Sequence, residues 1–364
     1  MTTLVVTNDF PPRVGGIETF LRHVCRFLDD RVVVLTRTEA DVRATRTHDA
    51  TLPFPIHRLP GPLLPTPALA RRSAGLLREY GASTVVFGAA APLGLLAGPL
   101  RAAGAERILA LSHGHEVWWS RVPAARQALR RIGHEVDALG VISGYTRRHI
   151  SLALDPSDRA KLVMLPPPVD LDAFTPTAEP ATRTVLAAAR FVPQKGLDLL
   201  LDAWPLVLAA APDSRLRIVG EGPGGAALRR RAAQLAGVEV LPAAAHAAMP
   251  AFFRTGSVFV SPVRTRLAGL YAEGLGVVAC EAAASGLPVV VGDSGGAPDT
   301  VVDGVSGSVV DPADRVQLAS ALVRWLSDPS AARAAGLAGR RHVTDLVGAD
   351  TVAERLRGAL GITA

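Results

Sequence analysis

Lysine, asparagine and cysteine are nearly missing from this chain of 364 residues. Of 39 lysine and arginine side chains, only Lys161 and Lys195 are lysine, and Asn8 is the only asparagine. Where arginine serves wherever any cation suffices, a retained lysine marks a place that needs a compact ammonium. Chance retention is the competing explanation, and it is preferred for Lys161, in an expected loop. The two cysteines, Cys25 and Cys280, lie far apart with no CxxC spacing. That argues against a disulfide framework or a cysteine zinc site and for a reducing compartment. The amino end, Met1 to Thr7, lacks a basic segment followed by a long apolar one, so a strand is expected there and not a signal peptide. No charge falls between Tyr80 and Leu100, a stretch long enough to span a bilayer. Its glycines and prolines favour a strand at Ser83–Phe87 followed by a helix from Pro92 to Ala103.

What is present suits a folded protein of about two domains at roughly 150 residues each. Hydrophobic residues make up 49% and charged residues 20%, a balance that excludes disorder. The net charge of +6 permits anionic partners and names none. Short apolar runs alternate with helical spacing: Leu4–Thr7, Val32–Thr36, Thr84–Phe87, Ile108–Ser112 and Ala138–Ile142, then Thr184–Ala188, Leu216–Val219, Val238–Leu241, Ser257–Ser261 and Val289–Val291. This α/β alternation predicts parallel sheets covered on both faces. The run Pro166-Pro167-Pro168, continuing through Pro176 to Glu179-Pro180, interrupts it and marks a linker. The expected organisation is two doubly wound Rossmann-like domains, 1–168 and 169–345, facing across a cleft. A C-terminal helix within 346–364 is expected to pack back toward the first domain. Ligands in such sheets bind beyond the carboxyl ends of the strands.

Five motifs fall at those ends. Gly15 and Gly16 open a helix after the first strand, where free N–H groups and the helix dipole favour an anion; a tight loop without ligand is the equal alternative. His113, in Ser112-His113-Gly114-His115-Glu116, follows another strand and suits a substrate hydroxyl. His-x-His has no convincing third metal ligand. Arg190 and Lys195 flank one loop and together suit a diphosphate. Gly220 begins a GxGxxG match through Gly225, a weak dinucleotide signal better read as a glycine turn near a nucleotide. Glu273 and Glu281 stand eight residues apart around Gly274-Leu275-Gly276. Glu281 suits the two hydroxyls of a ribose, Glu273 those of a sugar, and the N–H groups of Gly276, Val277 and Val278 a phosphate. Asp170-x-Asp172 reads as a turn, not a metal site. Trp118 and Trp119 lead into a cationic helix with Arg126 and Arg130; an anionic membrane surface and a plain solvated helix explain this equally.

Taken together, the motifs resemble the retaining GT-B glycosyltransferases of family 4, over nearly the whole chain. Arg190 and Lys195 match that family's diphosphate-binding pair, and Glu273 and Glu281 its EX7E motif. Asn8-Asp9-Phe10-Pro11-Pro12 with Gly15-Gly16, the Ser112 to Val117 segment, Arg264-Thr265-Arg266 and Leu275 are similar to the actinobacterial branch that transfers mannose from GDP-mannose to phosphatidylinositol monomannoside. The sequence departs from its relatives at Pro168, at Ala243-Ala244-Ala245 near where they hold the base, and at Glu18.

The resemblance implies a nucleotide-sugar donor, a glycolipid or small-molecule acceptor, and attack from the face that the diphosphate leaves. It implies no metal and no other cofactor. Nucleic acid is not an expected partner, and the chain is expected in the cytoplasm, at the inner membrane face if the tryptophan–arginine segment touches lipid. Another nucleotide sugar with a small-metabolite acceptor, a nucleotide-sugar epimerase, a phosphorylase and a non-catalytic nucleotide-sugar binder all stay open.

Overall fold

The computed structural model describes residues 2–177 and 183–362; the end of the proline-rich linker, Ala178, Glu179 and Pro180, lies outside them. Seven strands form the first sheet: β1 (Thr2–Val6), β2 (Val32–Arg37), β3 (Ile56–Leu59), β4 (Ala82–Phe87), β5 (Arg107–Ser112), β6 (Ala138–Val141) and β7 (Leu162–Met164). Six form the second: β8 (Thr184–Ala188), β9 (Arg215–Val219), β10 (Val238–Leu241), β11 (Val258–Ser261), β12 (Val289–Gly292) and β13 (Gly307–Val310). All pairings are parallel. The spatial orders are β3-β2-β1-β4-β5-β6-β7 and β10-β9-β8-β11-β12-β13. Each sheet therefore reverses its winding once, between β1 and β4 and between β8 and β11, where loops splay apart and leave room for a ligand.

The strands read as unbroken apolar runs because helices cover both faces. In β1, Leu4 and Val6 join one core with Val33, Leu35, Val85 and Phe87, whereas Val5 points into another with Val34, Val86 and Leu109. The second sheet divides likewise: Val185 and Ala187 pack with Leu216, Ile218 and Trp204 on one side, and Leu186 packs with Phe253, Phe259 and Cys280 on the other. Full burial of each Val, Leu, Ile or Phe contributes about 1.5–3 kcal/mol. Side-chain caps fix the starts of several helices. Thr66 accepts from the N–H of Leu69 ahead of Pro67–Glu79, Ser143 from that of Thr146, and Asp328 from that of Ala331 ahead of Pro329–Val347.

The uncharged stretch after Tyr80 resolves into β4, a short 3-10 turn at Leu93–Leu96 and a helix at Ala97–Ala102. Among the described residues no helix is long and apolar enough to cross a membrane. The chain divides into two compact units, one taking in the residues through Pro168 and those from Val352 onward, the other Val169–Thr351. The last helix, Ala349–Ala359, gives Val352, Leu356 and Ala359 to the core behind β1 and β2. There Arg357 donates from Nε to the carbonyl of Phe27 at 3.1 Å.

Candidate functional site

In the second unit the winding reversal coincides with the charged motifs. Arg190 and Lys195 lie in the loop leaving β8, and Glu273 in the segment leaving β11. Lys195 donates from Nζ to Oε2 of Glu273 at 2.5 Å, with both side chains largely shielded from water. A shielded pair of this kind is held more firmly than a surface one. Arg190 is exposed and, among the described residues, its guanidinium has no hydrogen-bond or ion-pair partner.

Glu281 is buried on the helix Val277–Ala284, which Gly276 opens in the left-handed conformation. The N–H groups of Gly276, Val277 and Val278 precede the first intrahelical bond and are free to donate elsewhere. Oε1 of Glu281 accepts from Nε2 of His246 at 2.8 Å, and the imidazole also packs against Phe174 at 5.7 Å. The hydrogen bond to Glu281 raises the His246 pKa, burial opposes it, and Asp170 adds to the rise. His246 ends the alanine run that departs from the relatives, and nothing in its local spacing announces a partner 35 residues on.

Gly220 has φ +148, and a Cβ there would overlap the carbonyl oxygen of Ala189. The N–H of Phe191 donates to the carbonyl of Glu221 at 2.7 Å, so these two loops pack backbone to backbone. Close approach of protein backbone accounts for that glycine without a ligand. A similar wedge underlies Glu273, and sequence reasoning missed it. Gly295 has φ +59, a Cβ on it would overlap the Glu273 carbonyl oxygen, and the N–H of Gly296 donates to that oxygen at 2.8 Å. Gly295→Ala is expected to cost about 1–2 kcal/mol in thermal melts and, by shifting Glu273, to slow turnover roughly tenfold. Gly304→Ala is the control: φ is +73 but the space is open, so stability falls and the rate holds. Equal rates in the two variants would remove Glu273 from the site.

In the first unit the helix opened by the two glycines, Gly16–Phe27, follows β1 as expected, but a carboxylate of the chain already sits beside its start. The buried carboxylate of Glu18 lies against Gly15 and pairs with Arg13, which also pairs with Asp9. An acidic group in the first turn favours the helix dipole, so the chain supplies its own anion there. Glu18→Gln keeps the shape and removes a charge. It is expected to lower the KM of a phosphate-bearing substrate roughly 3- to 10-fold; unchanged values for every substrate would exclude phosphate recognition at this loop.

His113 follows β5 and donates from Nε2 to the carbonyl of Gly88, in the loop leaving β4, at 2.6 Å. That bond fixes the tautomer and leaves Nδ1 as an acceptor. Burial lowers its pKa, with Glu116 opposing, so the ring is neutral near pH 7. Glu116 itself accepts from Ser112 Oγ at 2.9 Å and from the His113 N–H at 3.2 Å, a support built into the motif.

The remaining motifs have local explanations. Asp170 accepts from the N–H groups of Asp172 and Ala173, which makes it a turn residue. Lys161 bonds the carbonyls of Gly133 and His134 and pairs with Asp158. Among the described residues no cluster of three or more His, Cys, Asp or Glu is placed to hold a metal ion. Both cysteines are free and buried, and burial pushes the Cys25 thiol up to about 12, so they serve as apolar filler. Trp118 is exposed, but Trp119 packs against the core beneath, so the two tryptophans do not share a face.

Residues 182–328 match the family model described as glycosyl transferases group 1, and residues 14–173 match that of glycosyltransferase family 4. The GDP-mannose-dependent monoacylated alpha-(1-6)-phosphatidylinositol monomannoside mannosyltransferase of Corynebacterium glutamicum is 41% identical over 98% of this chain and 97% of its own. The GDP-mannose-dependent alpha-(1-6)-phosphatidylinositol monomannoside mannosyltransferase of Mycolicibacterium smegmatis is 43% identical over 94% of both. Among solved structures, Anabaena HepE in complex with UDP superposes with a TM-score of 0.80 at 16% identity, covering 100% of both chains. Sucrose-phosphate synthase of Thermosynechococcus elongatus gives 0.75 at 21%, covering 98% of both. The fold is thus GT-B, and the chain belongs to glycosyltransferase family 4.

Proposed function

We propose that this glycosyltransferase moves mannose from GDP-mannose, with retention, onto a phosphatidylinositol mannoside-type lipid. The observation that carries the reading is the Lys195–Glu273 pair at the winding reversal of the second sheet, with Arg190, whose guanidinium has no partner among the described residues, on the same loop. Similarity above 40% over nearly the full length to two enzymes of that named activity supports the donor and acceptor.

In this mechanism Glu281 holds the ribose hydroxyls, and the N–H groups at Gly276–Val278 approach the diphosphate. The bond from the anomeric carbon to phosphate oxygen breaks as Arg190 and Lys195 take up the charge on the leaving diphosphate. Such preorganised cations act most strongly where water is excluded. An acceptor oxygen bonds the same carbon from the same face, and its proton passes to the departing phosphate. Glu273 orients the transferred sugar; in the first unit His113 offers Nδ1 to a substrate hydroxyl, and the Gly15-Gly16 loop meets a phosphate once Glu18 yields. With Arg190 and Lys195 neutralising charge, no divalent ion is needed.

The lipid acceptor draws attention to a cavity of about 440 Å³ in the first unit, lined by Arg121, Arg126, Arg130 and Arg159 with Leu152 and Leu154. Arg126 bonds the Leu152 carbonyl and Arg130 pairs with Asp155, yet each fork retains donors for an anionic headgroup. We assign peripheral membrane contact to this face, with Trp118 beside it.

A panel of GDP-, UDP- and ADP-sugars tests the donor. GDP-mannose is expected to raise the melting temperature most, since a ligand at 100 times its Kd adds about 2.7 kcal/mol. It should also support transfer to phosphatidylinositol mannoside in anionic vesicles. Selective stabilisation by another nucleotide sugar, or release of a free epimer without acceptor, would sink the reading.

A further inference from the structure

The loop that carries Lys195 is held from outside by one arginine. Arg264 lies just beyond β11. Its backbone N–H donates to the carbonyl of Gln194 at 2.9 Å, and its Nε to the carbonyl of Pro193 at 2.9 Å. Its Nη2 reaches both carboxylate oxygens of Asp198, at 2.9 and 2.7 Å. Pro193 and Gln194 immediately precede Lys195, and Asp198 sits in the first turn of the helix Leu197–Ala210 that follows it. One residue thus brackets Lys195 on both sides. The segment that begins at Arg264 continues through Thr265, whose hydroxyl shares a hydrogen bond with Ser294 at 2.9 Å, to Glu273, the partner of Lys195. The Arg264 side chain is about three-quarters shielded, with an exposure of 24%. Its planar fork is what lets it engage a peptide carbonyl and a carboxylate at once; a lysine ammonium offers a single point.

We infer that Arg264 is a positioning residue for Lys195, setting the point from which the ammonium meets the leaving diphosphate. This rests on the leaving-group role given to Lys195 above. A static clamp with no bearing on chemistry would have the same contacts, so the test must separate the two.

Steady-state kinetics of Arg264→Ala, Arg264→Lys, Asp198→Asn, Lys195→Ala and the double variant Lys195→Ala/Arg264→Ala would do so. Arg264→Ala is expected to lower kcat about 10- to 100-fold with donor KM changed less than about threefold, since a small misplacement of a reacting group has effects of this order. Arg264→Lys should recover little of it. Asp198→Asn, which weakens the fork's anchor and leaves the arginine intact, should lower kcat by a smaller factor if Arg264→Ala proves too unstable to assay. In the Lys195→Ala background, Arg264→Ala should have less than about a twofold further effect, because what it positions is gone. Equal fold-losses with and without Lys195, or a change in KM alone, would overturn the assignment to Arg264. Full activity of Lys195→Ala would instead overturn the leaving-group role on which it rests.

Discussion

Lys195→Ala is expected to lower kcat by roughly 10²- to 10³-fold while donor KM moves far less. The magnitude is that of removing one preorganised charge-stabilising group from an enclosed site. The split between kcat and KM follows from when the charge appears. In the free enzyme the ammonium is engaged by Glu273 at 2.5 Å, whereas in the transition state negative charge grows on the departing phosphate and draws it away. Lys195→Arg should restore charge but little rate, because a planar fork does not fit the place of a compact ammonium between two backbone-anchored loops. Initial-rate kinetics with GDP-mannose and saturating acceptor measure both constants. Mannosyl transfer with unchanged kcat/KM would dismiss the leaving-group role outright.

Glu281→Ala is the second large effect, expected to weaken GDP binding by about 10²-fold or more in calorimetric titration, as hydrogen bonds to a charged group contribute about 1.5–3 kcal/mol each. His246 adds a pH dependence. It donates to the carboxylate oxygen proposed above for the ribose, and the charged groups facing it are Glu281 and Asp170, both of which favour the imidazolium. If Glu281 holds the ribose, the imidazolium below its raised pKa competes for the same carboxylate. Donor affinity should therefore rise with pH through that raised value and level off above it, and His246→Ala should flatten the curve. The contribution of the same pair to stability has the opposite slope, being present below the ordinary histidine range and lost as pH rises through the raised value. A flat wild-type binding profile would mean that the ribose leaves the imidazole in place.

Local spacing carried much of this site. Arg190 and Lys195 are recognisable because they follow the apolar run Thr184–Ala188 within a few residues, where such folds gather ligands, and Glu273 and Glu281 because they stand eight residues apart around Gly274-Leu275-Gly276. The strand Thr184–Ala188 has the bounds that its apolar run suggests. What spacing cannot carry is partnership. Lys195 meets Glu273 across 78 residues and His246 meets Glu281 across 35. Glu18 turning onto Gly15 depends on rotamer and on Arg13, not on helical pattern. Three strands also escape the apolar-run pattern. β3 contains His57 and Arg58, β7 has three residues, and β13 opens on glycine and serine. Each lies at or toward an edge of its sheet, where pairing with a formed neighbour replaces intrinsic preference. The helix Pro329–Val347 is rich in alanine and arginine, with small residues at its buried positions, so it shows no apolar stripe to read.

The return of the final helix to the first sheet has a consequence for biosynthesis. Val352, Leu356 and Leu360 complete the wall behind β1 and β2, yet they leave the ribosome only after every residue of Val169–Thr351 has been made. Domains ordinarily consolidate in order of synthesis. Here the portion begun first is the one finished last, and until then it exposes an apolar seam that quality-control machinery can grip.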